Sequence, residues 1–289
     1  MSIKEYLPGI ILFLILSPVV GSLLDRISHL VAVSFGAPLR SGRIDSLGGW
    51  LAQLSRRGVR GRGRPAGLFA LLYLLAMAAA GVLFFAGLNL IWVIGLMGAA
   101  NLCLIAGLCL RQPDSWRELI DNEFLRLFIF IVGFALLAFG LYLFTGYATG
   151  SASLRLRAII AAAAPPIFEL SGLLPMVVVF ILIGSRAAFP KKGYPHYEEQ
   201  PGYTGRELFL LQWGRWYEDI LLFSFLFVLH FGQSLISGFV GVGVCLATQA
   251  LKLSPIVQNR LRQGGSRLKY HVIALVCLAL ALANIYLLL

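Results

Sequence analysis

Acidic residues are scarce in this chain: 13 Asp and Glu stand against 24 Lys and Arg, a formal net charge of +11. Cysteine is scarcer still. Cys103, Cys109, Cys245 and Cys277 all lie in apolar runs and form no metal or haem spacing, so they read as packing residues. Also missing are a Gly-rich phosphate loop, an aspartate-rich metal motif and a nucleophile–base pair. These absences argue against a self-contained active site, and against any metal or cofactor held by this chain. What fills the sequence instead is hydrocarbon. Of the 289 residues, 59% are hydrophobic, and the mean hydropathy is +0.84. Soluble domains run at roughly 45–50% apolar. The chain therefore reads as an all-α integral membrane protein, with no room for a soluble domain.

Runs of about 20 apolar residues cross the hydrocarbon core. On that length the sequence predicts eight spans in a single membrane domain over 1–289, at about 7–24, 66–88, 91–110, 124–147, 158–185, 207–229, 235–251 and 270–288. The first run is read as a span, because no small-residue cleavage site precedes the next charges. The fifth holds Pro165, Pro166 and Pro175 and is expected to break or kink. Loops 25–64, 111–123, 186–206 and 252–269, with the first turn of the fourth span to Arg126, carry 20 of the 24 Lys and Arg. Basic residues collect in cytoplasmic loops, so this side is assigned inside and both termini outside. The expected location is a bacterial or archaeal cytoplasmic membrane, with the lipid bilayer as one partner and no nucleic acid as another.

The loop 25–64 has eight arginines against Asp25 and Asp45. Within it Ile44, Leu47, Trp50, Leu51 and Leu54 share one helical face, which predicts an amphipathic interfacial helix ending at Arg56 and Arg57.

Charged side chains at bilayer depth are costly and tend to mark function. The candidates for a proton or ion path are Glu118, Glu123, Glu169, Glu198, Glu199, Glu207, Glu218 and Asp219. Each has a plainer alternative. Glu207 and Glu123 open helices, where a carboxylate suits the dipole. Asp219 stands four residues from Arg215, and Asp121 four from Arg117, the spacing of structural ion pairs. Glu169 can sit at the interface beside Arg155 or Arg157.

Three patches add a resemblance. The first is Tyr203-Thr204-Gly205-Arg206-Glu207-Leu208, with Leu210, Leu211 and Trp213. The second is Trp116-Arg117-Glu118-Leu119, followed by Glu123. The third runs through Pro18, Gly21, Arg26, Gly36-Ala37-Pro38-Leu39, Arg43, Asp45 and Leu47. In these patches and in its layout the chain resembles the NADH dehydrogenase subunit 1 family, the membrane subunit that docks the peripheral arm of respiratory complex I. It is more similar to the corresponding subunit of group 4 membrane-bound NiFe hydrogenases and formate hydrogenlyases. The resemblance implies an oxidoreductase complex in which this subunit is non-catalytic. It would anchor a hydrogenase-like or complex I-like peripheral module and help couple electron transfer to proton or sodium translocation. Docking would use Arg43, Asp45, Arg56, Arg57, Tyr203 and Arg206. Iron–sulfur clusters and NiFe or quinone would lie on or beside partner subunits, and antiporter-like membrane subunits would flank it.

The chain also departs from that family. The expected arginine run is Val31-Ala32-Val33-Ser34-Phe35, and the glutamate near the end of the fifth span falls around Gly184 and Ser185. Gly202 and Gln212 stand where two further glutamates are expected. A neutral residue cannot replace a titrating carboxylate. Either the path runs through Glu198, Glu199 and Glu218, or the subunit mainly anchors its partners. Two other readings are a quinone-site subunit of complex I and an independent secondary transporter. The transporter would need paired broken helices in an internal repeat, and the fifth span has no such partner.

Overall fold

The computed structural model describes residues 7–34, 48–49, 51–52, 64–111, 127–128, 131–135, 137–143, 145–146, 150–162 and 205–230. They are mostly helical, with no strand among the described residues. The named helices are α1 (Leu7–Ser34), α2 (Arg64–Phe85), α3 (Leu90–Arg111), α4 (Leu156–Ala162) and α5 (Arg206–His230). Three of them contain stretches long and apolar enough to cross a membrane: Leu7–Ile27, Gly67–Phe85 and Leu90–Gly107. The parts of the expected fourth span that are described are also helical. The spans expected at 235–251 and 270–288, and most of the fifth, lie outside the described residues, as does most of the interfacial helix expected at 44–54.

Each long helix buries one face. On α2 it is Ala70, Tyr73, Met77, Ala80 and Phe84, and on α3 it is Leu90, Val93, Met97, Ala100 and Leu104. The other faces are apolar as well: Leu68, Leu71, Leu72 and Leu75 on α2, and Ile11, Leu12, Ile15, Leu16 and Leu23 on α1, are exposed. A soluble protein avoids apolar exposure on this scale, whereas a bilayer solvates it. Helices hydrophobic all round are those of a membrane span or a large core.

By contact the chain divides into two compact units. One holds α1, α2, α3 from Trp92 onward and α5 up to Leu221. In it α1 runs antiparallel to α2, with Phe13 against Gly81 and Phe85, and Gly9 nearest Phe85. α5 runs parallel to α2, since Gly67 faces Glu207 and Tyr73 with Leu74 face Gly214. Small residues make both approaches possible, as is usual where membrane helices pack closely. A Cβ at position 81 would collide with the Phe13 ring, and one at 214 would lie 2.5 Å from the Tyr73 ring.

The second unit contains Gly87–Ile91, α4 and the C-terminal end of α5. Asn89 and Arg155 form an isolated antiparallel bridge there, and the Leu90 amide donates to the Leu154 carbonyl at 2.9 Å. Asn89 Oδ1 accepts from the Ile91 amide at 3.1 Å, which caps the start of α3. The Phe134 and Phe225 rings meet edge to face, 5.7 Å apart.

Candidate functional site

Several polar side chains of the first unit meet where α5 lies against α1 on one side and α2 on the other. α5 follows directly on Gly205, whose φ of +56° is left-handed and suits glycine; its carbonyl accepts from the Phe209 amide at 3.1 Å. This is the glycine of the sequence Tyr203-Thr204-Gly205. Glu207 follows in the first helical turn, half-buried, with its carboxyl turned toward Gly67 of α2. That position suits the helix dipole.

Toward α2, the Tyr73 hydroxyl donates to Glu218 Oε2 at 2.5 Å. Both residues are buried, Tyr73 at 0% and Glu218 at 1% exposure. Glu218 lies roughly 18 Å along α5 from Arg206, at a rise of 1.5 Å per residue. That places it near the middle of the 25-residue helix.

Toward α1, Asp25 Oδ2 accepts two bonds from α5: Gln212 Nε2 at 2.7 Å and Trp216 Nε1 at 2.6 Å. The sequence-based expectation placed Asp25 in the loop after a span ending at Leu24. The helix instead continues to Ser34 and carries Asp25 into the interface. Ser17, Gly21 and Asp25 recur every four residues and so share one face of α1. Gly21 is the notch that receives Trp216; a Cβ there would lie 2.5 Å from the indole. This repeat of small and polar residues at i, i+4 and i+8 is the signal that could have found Asp25.

A third contact follows from Pro18. Proline has no amide N–H, so the carbonyl four residues earlier, Leu14, loses its helical donor. The Tyr217 hydroxyl of α5 donates to that carbonyl at 2.9 Å. In an apolar medium such an internal replacement is what makes a helix-interior proline tolerable. The Tyr217 ring packs 5.2 Å from Phe13.

Gln212 has its own chemistry. An amide can donate to Asp25, whereas an ionised carboxylate at 212 is acceptor-only. The neutral residue at a position where the resemblance leads one to expect glutamate therefore has a use in this chain. Arg206 is exposed, and Arg215 and Asp219 are half-buried on α5. The structure brings Glu207 and Glu218 to α2 and does not group them with a metal-holding set among the described residues. Glu118, Glu123, Glu169, Glu198, Glu199, Arg43, Asp45, Arg56, Arg57 and Tyr203 lie outside the described residues.

No family model and no curated protein matches the chain.

Proposed function

We propose that the chain is an eight-span membrane subunit of a redox complex of the complex I or group 4 hydrogenase kind. In this reading it anchors a peripheral module through its basic loops and helps couple electron transfer to proton or sodium movement. The observation that carries the coupling half is the Tyr73–Glu218 pair, a carboxyl buried near mid-helix and held by a neutral donor from a neighbouring helix. Intramembrane acids that face protein rather than lipid are the usual stations of ion paths. The helix directions agree with the topology: α2 and α5, the expected second and sixth spans, run the same way, and α1 runs opposite. In this reading the termini are outside and the loops 25–64 and 186–206 inside, by their basic charge, where the peripheral module would bind.

The test is Glu218→Gln in the assembled complex, with ion uptake and redox turnover measured on the same vesicles. Glutamine keeps the size and an acceptor for Tyr73, so assembly should persist while the ratio of ions to electrons falls. An unchanged ratio would remove Glu218 from the path and leave the anchoring role alone.

A further inference from the structure

Asp25 and Glu218 grip opposite faces of the same helix. Gln212 and Trp216, which bond Asp25, lie two residues from Gly214 and Glu218, which meet Tyr73. Two residues turn an α-helix by roughly 200°. α1 and α2 touch each other through Gly9, Phe13, Gly81 and Phe85, near the N-terminal end of α1 and the C-terminal end of α2. Toward their other ends, α5 stands between them, with Gly21 and Asp25 on one side and Gly67 to Leu74 on the other. α5 is thus a wedge, held by one hydrogen-bonded carboxyl on each flank and, on the α1 side, by the Tyr217 bond to Leu14 as well.

We propose that Asp25 is a positioning residue: by accepting from Gln212 and Trp216 it sets the rotation of α5 at which Glu218 meets the Tyr73 hydroxyl. Its importance for translocation rests on the reading of Glu218 as a working acid, but the positioning itself does not. Three features make the Asp25 grip specific. Both its bonds are short and end on one oxygen, Oδ2. They come from donors one turn apart, which resists rotation more than a single bond would. And Trp216, 1% exposed, is seated on Gly21, so its indole cannot follow a turning helix without striking the α1 backbone. In both of these bonds Asp25 is the acceptor, and the oxygen of an amide can accept them too.

The roles of acid and acceptor separate on conservative substitution. The full chain in lipid vesicles is examined by infrared spectroscopy, with the Glu218 carboxyl band assigned as the one that Glu218→Gln removes. Asp25→Ala should move that band to where Tyr73→Phe places it, and should lower the ratio of ions to electrons in the assembled complex. Asp25→Asn should leave both at wild-type values. Gln212→Glu should displace the band by setting a second acceptor against Asp25. Combining Asp25→Asn with Gln212→Glu should restore it: the amide introduced at position 25 donates to the carboxylate introduced at 212, and its oxygen accepts from Trp216. That pair keeps the test alive where Asp25→Ala fails to fold. An Asp25→Asn chain as impaired as Asp25→Ala would overturn the proposal and make Asp25 an acid in its own right. So would an unmoved Glu218 band in a folded Asp25→Ala chain. A band that moves as expected while Glu218→Gln leaves ion transport intact would support the positioning and refute only the coupling role.

Discussion

Tyr217→Phe isolates the bond that compensates for Pro18. The substitution removes one hydroxyl and keeps the ring, so the packing against Phe13 at 5.2 Å survives. What it takes away is the donor, 2.9 Å away, to the Leu14 carbonyl, which Pro18 leaves without its usual helical partner. Hydrogen bonds between membrane helices average about 0.6 kcal/mol and reach about 1.7. Leaving a buried polar group unsatisfied costs about 1–3 kcal/mol. The lost bond and the orphaned carbonyl describe the same event, so they are not added, and the expected loss is about 1–2 kcal/mol. Pro18→Ala supplies an amide N–H at the position that normally serves the Leu14 carbonyl. In that background Tyr217→Phe should cost under roughly 0.5 kcal/mol, because the acceptor has a helical donor again. Equilibrium unfolding of the four chains in mixed detergent micelles measures the cycle. Equal costs for Tyr217→Phe with proline and with alanine at 18 would refute the compensation.

Gly214→Ala places a Cβ 2.5 Å from the Tyr73 ring and 3.3 Å from the Leu74 backbone, while the Tyr73 hydroxyl is held by Glu218. Overpacking of this kind costs about 1–3 kcal/mol, so the thermal midpoint of the detergent-solubilised chain should fall; a higher midpoint would mean that the ring yields freely. With the four native cysteines replaced, single cysteines at Ser41 and Ser266 should label from the cytoplasm and one at Ser151 from outside; a shared side for 41 and 151 would end the eight-span topology. Charge reversal at Arg56 and Arg57 should release the peripheral module from the membrane, and unchanged co-purification would count against that loop as the grip.

The sequence by itself determined the class of this protein and where its best-defined helices run. An apolar run long enough to span has no alternative in lipid but to satisfy its backbone within a helix or a closed barrel. The runs at 66–88 and 91–110 accordingly became α2 and α3 with ends shifted by only a few residues, and the run at 207–229 is helical as α5. Glu218 was visible as an acid inside an apolar run, where acids are expensive. Tertiary structure alone decided which partners those groups have. Composition placed Asp25 with the loop charges, because a charge after an apolar run marks the run's end; helix propagation costs little once a helix exists, so α1 continued and carried Asp25 to Gln212 and Trp216. The pairing of Tyr73 with Glu218 spans 145 residues, and that of Tyr217 with Leu14 spans 203. No local periodicity encodes contacts at such separations. They arise where glycines at 21, 81 and 214 let three helices approach closely enough for these groups to meet.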